Sequence, residues 1–414
     1  MSPSSTADAT APVDARAQTP RAPGAPGETP APPAPPADAS GGRPLRVTFL
    51  LKRADLSGGC RVVRIYAEAL AARGHSVRIV SCPDPPERLR SRVKRALTGG
   101  GLAARPRTVE NQIDGSTVPH AVVRGHQGPE PGELPDADVL IATWWETAEW
   151  VHRMPERKGR PLFFVQHDER VFSEASPEQR QKVEQAWRLG MPAVVVAAWI
   201  GEEMRKHGVP ADRIALVPNA VDAERFRAEP RGKQPEPTVG LMLAWVHFKG
   251  VDVAIEAIRI ARETLPGLRV KAFGHADPKD CVFEAPAGMQ YRRQPPQDQI
   301  REVYAGCDAW LFASRCEGFG LPILEAMACR TPVIGTPAGA APELLGPRAD
   351  GPPAGVLVPM EDPRAMAEAI LRVVGMPDPE WRALSGRAHE VATGYTWEQA
   401  SDLFEAQVRK AAAV

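Results

Sequence analysis

Two glutamates, Glu317 and Glu325, stand with seven residues between them in the stretch SRCEGFGLPILEAMACRTPVIGTPAGAAPELL, which runs from Ser314 to Leu345. The residues between them are of a kind that makes room for a ligand. Gly318 and Gly320 let the backbone approach a bound group without side chains in the way. Pro322 suits an early helical position, so a helix starting at Leu321 points its free N–H groups and the positive end of its dipole into the same space. That is anion-binding chemistry framed by two carboxylates. An acid in a first helical turn is favoured by the dipole, which gives Glu325 a structural reason to be there, whereas Glu317 in a glycine loop has less of one. Lys249-Gly250 repeats the theme, because a lysine beside a helix start, on a loop after a strand, is a good phosphate ligand. His167 follows the run PLFFVQ at a strand's C-terminal end, where open α/β sheets place ligands, and Asp168 is next to it to orient the imidazole.

The elements that must hold these groups are legible as apolar runs. AWLFA before the glutamate loop and TPVIG after it read as buried strands flanking one helix, a unit whose strands are parallel and joined by a right-handed crossover. Around this unit, Glu317 and Glu325 with GFGLPIL between them, EAMACRTPVI after them and Gly339-x-x-Pro342-Glu343 beyond resemble the E-x7-E motif of the retaining family-4 glycosyltransferases of GT-B fold. The resemblance covers nearly all of residues 45–410. It implies an α/β architecture of two doubly wound Rossmann-like domains facing across a cleft, with a C-terminal helix crossing back to the first domain.

The chain divides on that reading into an Ala/Pro-rich tail at 1–42, an acceptor-side domain at 43–216, a nucleotide-sugar domain at 217–390 and a crossover helix at 391–414. The tail has a composition that does not bury a core, and it lacks the apolar stretch of a secretory signal. The first domain opens with LRVTFLLKR, a helix from Val62 to Arg73 and the strand HSVRIVSC. The intervening Ser57-Gly58-Gly59 reads equally as a tight turn or as a ligand loop. Trp144, Trp145 and Trp150 follow a strand and fit either core packing or a platform for a sugar ring or isoprenoid. The basic stretch from Arg88 to Arg107 (Arg88, Arg90, Arg92, Lys94, Arg95, Arg105, Arg107) fits a solvated helix face or a surface that meets anionic lipid or a lipid-linked phosphate. GYTWEQASDLFEAQVRKAAA is amphipathic, with Trp397, Ala400, Leu403 and Phe404 on one face.

The resemblance also assigns roles. It implies transfer of a sugar from a nucleotide-diphosphate sugar to an acceptor hydroxyl with retention of configuration, in cell-envelope or other glycan or glycoconjugate synthesis. Glu317 and His167 would meet the donor sugar, Glu325 the ribose diol, and Gly58, Gly59, Lys249, Gly318, Phe319, Gly320 and Leu321 the rest of the donor. The turn at Arg293 and Gln294 lies where that family seats the base. Leu243 and Ala244 stand where the family has Gly-Arg, so the arginine that joins the lysine on the diphosphate is missing, with His247 the nearest basic residue. The expected attack is front-side, assisted by the leaving phosphate, ranked ahead of Glu317 as a nucleophile. Two alternatives remain: a non-catalytic GT-B protein that binds nucleotide or glycan, and another GT-B enzyme such as a nucleotide-sugar epimerase.

Composition bounds the partners. Fifty-one basic residues balance 51 acidic ones, so no global field argues for nucleic acid. The six cysteines are scattered with no C-x-x-C pair, which suggests reduced thiols rather than a disulfide framework or zinc site. No Asp-x-Asp or histidine group has ligand spacing, so neither a metal nor an organic cofactor is expected. No apolar run reaches the roughly 18 to 20 residues of a membrane span. The expected place is the cytoplasm, with peripheral contact at the inner face of the membrane through residues 88–107, and the expected partners are a nucleotide sugar and a glycan or lipid-linked acceptor.

Overall fold

The computed structural model describes residues 42–83, 111–172, 175–275, 277, 278, 281, 283–348 and 351–413. The tail up to residue 41 and the basic 88–107 stretch lie outside the described residues.

Among the described residues thirteen strands form two sheets, and every strand pair in both is parallel. The first sheet contains β1 Arg46–Leu51, β2 Ser76–Ser81, β3 His120–Val122, β4 Val139–Ala142, β5 Arg160–Val165, β6 Ala193–Val195 and β7 Ile214–Leu216, in the order 3-2-1-4-5-6-7. The second contains β8 Thr238–Leu243, β9 Arg269–Gly274, β10 Gln290–Arg293, β11 Ala309–Phe312, β12 Val333–Gly335 and β13 Val356–Leu357, in the order 10-9-8-11-12-13. Each sheet therefore runs three strands one way and then reverses beside its first strand. The central strands are near-continuous apolar runs (VTFLL, VLIA, LFFV, AWLF) because helices cover both faces of a parallel sheet, whereas the edge strand β10, QYRR, is largely exposed.

The helices are α1 Gly58–Ala72, α2 Trp145–His152, α3 Pro177–Trp187, α4 Ala198–Lys206, α5 Val251–Thr264, α6 Gln297–Ala305, α7 Leu321–Ala328, α8 Ala341–Leu345, α9 Pro363–Gly375, α10 Asp378–Thr393 and α11 Trp397–Ala413. One apolar core runs from the first sheet into one face of the second, and a separate core fills the second sheet's other face under α5 and α9. The last helix does cross back. Phe404 of α11 stacks on Tyr66 of α1 at 4.2 Å and meets Phe164 of β5 edge-on at 5.1 Å. Among the described residues no helix is long and apolar enough to cross a membrane.

Two local expectations needed revision, and one open alternative, that of Trp145 and Trp150, went to core packing. α1 begins at Gly58, four residues before the expected Val62, because Ser57 caps it: the Ser57 hydroxyl accepts from the Cys60 N–H. Gly58 and Gly59 are thus the first turn of a helix rather than a loop. The WWETAEW segment is a helix from Trp145 onward, and Trp145 and Trp150 pack against the core rather than forming a platform. Trp144, just before it, stacks on Phe172 at 5.9 Å. Finally, Glu325 lies in the second turn of α7, not the first, so the helix dipole does not account for it.

Candidate active site

Loops after β1 and β5 on one side and after β8 and β11 on the other come together, beside the points where the strand order of each sheet reverses. Open α/β sheets bind ligands at such points. Contact between the halves is close. A Cβ on Gly318 would overlap the carbonyl oxygen of Gln166, and one on Gly58 would rest 3.7 Å from Leu321 Cδ1. The Trp199 indole, on α4, donates to the Gly318 carbonyl at 2.9 Å.

Within the second half the geometry is tight as well. Gly250 takes φ 59°, and a Cβ there would overlap the Ala313 carbonyl, so only glycine lets the β8–α5 loop touch the β11–α7 loop. This brings Lys249 to Glu317, with Nζ 2.6 Å from Oε1. Ser314 Oγ donates to the same oxygen at 2.8 Å. The Glu317 side chain is 10% exposed and that of Lys249 19%. Buried opposite charges of this kind persist only when paired. Gly320, at φ 101°, caps α7 in a conformation an L side chain rarely takes. Phe319 is buried, and its backbone carbonyl accepts from Ala340 N, so its side chain serves the core while its main chain shapes the loop.

Glu325 is held from two directions. Arg61 of α1 reaches across the cleft to Oε1 at 2.5 Å, and the buried Tyr304 hydroxyl donates to Oε2 at 2.9 Å. Arg61 also donates to Gln297 Oε1 at 3.2 Å.

His167 stacks on Phe172 at 4.5 Å. Its Nδ1 lies 3.0 Å from the Asp168 carbonyl oxygen. A carbonyl only accepts, so Nδ1 carries the proton and Nε2 is left as an acceptor. Nε2 faces Cys316 Sγ at 3.6 Å. Burial pushes the imidazole pKa down against the pull of Glu317, and burial pushes the Cys316 thiol up, with Glu317 adding to it. Both groups are therefore neutral at pH 7. The expected partner was the Asp168 carboxylate, but that group pairs with Arg170 at 2.7 Å. Arg170 in turn holds Glu203 at 3.0 Å and lies over the Trp187 ring. The main chain of Asp168, not its side chain, orients the histidine.

The structure thus brings Glu317, Lys249, Gly318, Gly320, Leu321 and Glu325 together with Gly58, Gly59 and His167 of the first half. Arg293 is on the same strand-end edge but exposed, 3.6 Å from Asp277. Its neighbour Gln294 takes φ 46° and donates its N–H to the Gly274 carbonyl at 2.7 Å. Ala244 is buried in the second core, so that position offers no polar group to the cleft. His247 is exposed there, its carbonyl accepting from Arg315. Arg61, Tyr304 and Trp199 went unread in the sequence, since each meets its partner across a long stretch of chain.

Chemically, the cleft offers two oriented carboxylates, one ammonium, one guanidinium, an imidazole acceptor and helix starts at Gly58 and Leu321. Carboxylates with lone pairs to spare accept from hydroxyls, and helix starts with cations receive phosphate.

Comparison with known proteins gives the family and the fold. Residues 56–225 match the family described as Glycosyltransferase Family 4, and residues 237–375 match Glycosyl transferases group 1. The D-inositol 3-phosphate glycosyltransferase of Actinosynnema mirum is 28% identical over 397 residues, 84% of this chain and 90% of that protein. The one from Saccharomonospora viridis is 29% identical over 320 residues, 68% of this chain and 71% of that protein. Sucrose-phosphate synthase from Thermosynechococcus elongatus shares the fold with a TM-score of 0.62 at 20% identity, covering 89% of this chain and 98% of that one. Anabaena HepE, solved with UDP and glucose, gives 0.66 at 15% identity over 88% of this chain and 100% of that one. The two matched segments fall one on each parallel sheet, and the chain belongs to the family-4 glycosyltransferases of GT-B fold.

Proposed function

We propose that this glycosyltransferase moves a sugar from a nucleotide-diphosphate sugar to an acceptor hydroxyl with retention of configuration and without a metal ion. The observation that carries the reading is the placing of Glu317, clamped by Lys249 and Ser314, on the loop whose preceding residue, Cys316, faces Nε2 of the neutral His167 across the cleft. In this assignment Glu317 and His167 Nε2 accept hydroxyls of the donor sugar, and Glu325 accepts the ribose diol. Lys249 and the N–H groups at Gly58, Gly59, Gly320 and Leu321 receive the diphosphate, which is stabilisation of developing charge by donors already in place. Phe319 and Gly318 shape that loop, and Arg293 lies toward the base. The acceptor hydroxyl attacks from the face the diphosphate leaves, and a leaving phosphate oxygen takes its proton. Glu317 is a weaker candidate for nucleophile because its Oε1 is occupied by Lys249 and Ser314.

The relatives are named for inositol 3-phosphate, which makes it the first acceptor to try, followed by glycan and lipid-linked acceptors. The setting we propose is cytoplasmic cell-envelope or other glycoconjugate synthesis, with peripheral membrane contact through residues 88–107.

The test is a panel of UDP-, GDP-, dTDP- and ADP-sugars with those acceptors, the product's anomeric configuration being read by NMR. Transfer with the donor's configuration kept supports the assignment. An inverted product removes the front-side mechanism, and nucleotide binding without transfer favours the non-catalytic alternative.

A further inference from the structure

Arg61 has no part in the assignment above, yet it is the cation that the first half sends across the cleft. It projects from the first turns of α1, and its guanidinium meets Glu325 at 2.5 Å and Gln297 at 3.2 Å. Its side chain is 21% exposed, and that of Glu325 is 8% exposed. Tyr304 fixes the other Glu325 oxygen from behind at 2.9 Å. A ribose diol arriving at this carboxylate must therefore share it with Arg61 or replace it.

The surroundings say where the displaced guanidinium would go. Gly58 and Gly59, with no side chains, lie one turn before Arg61, and the start of α1 abuts the start of α7 at Leu321. Two helix N-termini therefore open into one space, both with their positive ends inward. Lys249 already neutralises Glu317 at 2.6 Å, and the buried Ala244 gives the β8 loop no second cation. A diphosphate entering here brings more negative charge than one committed lysine offsets. Arg61 projects into the cleft from the same helix start, and its planar fork of five N–H donors suits phosphate better than an ammonium does.

We propose that Arg61 is a donor-binding residue that exchanges partners. Its guanidinium holds Glu325, and when a ribose diol takes that carboxylate it passes to the adjacent diphosphate. The proposal rests on the nucleotide-sugar assignment. It makes one contact serve two ends: Glu325 stays paired and desolvated until the donor arrives, and the cation freed by the ribose is spent on the phosphate of the same molecule.

The test uses calorimetric titration of the full chain with UDP, GDP, dTDP and ADP, then with the nucleoside and monophosphate matching the best of them. The variants are Arg61→Ala, Arg61→Lys and Arg61→Ala combined with Glu325→Gln. A charge-assisted phosphate contact predicts that Arg61→Ala weakens nucleoside diphosphate binding by about tenfold to a hundredfold. It leaves the bare nucleoside unchanged or binding severalfold tighter, because the ribose no longer competes for Glu325. Arg61→Lys keeps diphosphate binding within about tenfold of the parent. A residue that only braces the fold would weaken nucleoside and diphosphate together, and that result overturns the proposal, as does unchanged diphosphate affinity. Should Arg61→Ala unfold because Glu325 loses its partner, Arg61→Lys and the double variant, which is neutral at both positions, decide the question by the same ratio. If the parent protein binds none of the four nucleotides, the donor assignment itself fails, an outcome distinct from a bound nucleotide that ignores Arg61.

Discussion

The two walls of the cleft are built on the same strand order but carry opposite chemistry. The second-half wall presents ionised groups, Lys249, Glu317 and Glu325, on loops pinched together by Gly250 and Gly318. Apart from Arg61 and the paired Asp168, Arg170 and Glu203 next to His167, the groups of the first-half wall described above are neutral. His167 is kept uncharged by burial, Trp144 and Phe172 line up beside it, and the Glu169 carboxyl behind it is pushed up to about 8 by burial. A donor with an anionic leaving group and a neutral sugar needs this division. The charged wall matches the diphosphate, and the neutral wall meets hydroxyls without offering a competing ion. Chemistry in the cleft therefore depends on two separable things, the charges of one wall and the closeness of the other.

Removing a charge should be the most damaging change. Lys249→Ala leaves Glu317 as an uncompensated, nearly buried carboxylate and removes a phosphate ligand. By analogy with the loss of one preorganised donor, kcat/KM should fall by about 10²–10³. Steady-state kinetics with the accepted donor measures it, and a loss under tenfold would mean that the charged wall is not where the leaving group sits.

Keeping the charges but separating the walls should cost somewhat less. Gly318→Ala puts a methyl group where the Gln166 carbonyl lies, so the halves cannot meet at their present distance, while Lys249 and Glu317 remain paired within the second half. Nucleoside diphosphate affinity, which also draws on Gly58, Gly59 and Arg61 of the first half, should fall by about tenfold, while kcat falls by about a hundredfold, since misplacing a reacting group by about an ångström costs that much. If affinity falls as far as kcat, the two walls are not separable in the way described.

The neutral wall makes a prediction about pH. Glu169 is 1% exposed, with one oxygen lacking a partner. Its folded pKa of about 8 lies above the unfolded value near 4.5. The folded protein therefore keeps a proton that the unfolded chain releases, and this contribution to stability is present at low pH and lost as pH rises from about 4.5 toward 8. Between pH 5 and pH 7 the loss is on the order of 2 kcal/mol. Glu169→Gln, neutral at every pH, should flatten the fall. Denaturant melts at pH 5, 7 and 8.5 that keep their slope in the variant would show that Glu169 is ionised in the fold.

How much of this was legible in the sequence follows from range. The central strands were readable because a parallel sheet buried on both faces demands unbroken apolar runs, whereas the short, partly exposed β3 and β13 went unread; the Ser314–Gly320 loop was readable because glycine spacing and both glutamates lie within a dozen residues. Lys249-Gly250 was readable for the same reason. Arg61 was not, because its partner is 264 positions away and an arginine one turn into an amphipathic helix looks solvated. The start of α1 was misplaced because two glycines outweighed the Ser57 cap. Asp168 was given to His167 because adjacency suggested a carboxylate, whereas Arg170, two residues on, competes for it with ideal geometry. Local pattern foretold each wall separately, and the contacts between walls had to come from the fold.

The smallest expected effect probes those contacts directly. Trp199→Phe removes the indole N–H that meets the Gly318 carbonyl at 2.9 Å and keeps the ring's packing against the core. The carbonyl is only part-buried, so water can take over the lost bond, which limits the cost to about 1 kcal/mol. That amounts to roughly a five-fold drop in kcat/KM. The drop should appear in kcat, with nucleoside diphosphate affinity unchanged, because the indole touches neither Lys249, Glu317 nor Glu325. Gly318→Ala and Trp199→Phe then perturb the same closeness by overlap and by a lost tether. If Trp199→Phe instead weakened nucleotide binding and spared kcat, the Gly318 loop would be set by its tether before the donor arrives, and the charged wall would owe its geometry to the neutral one.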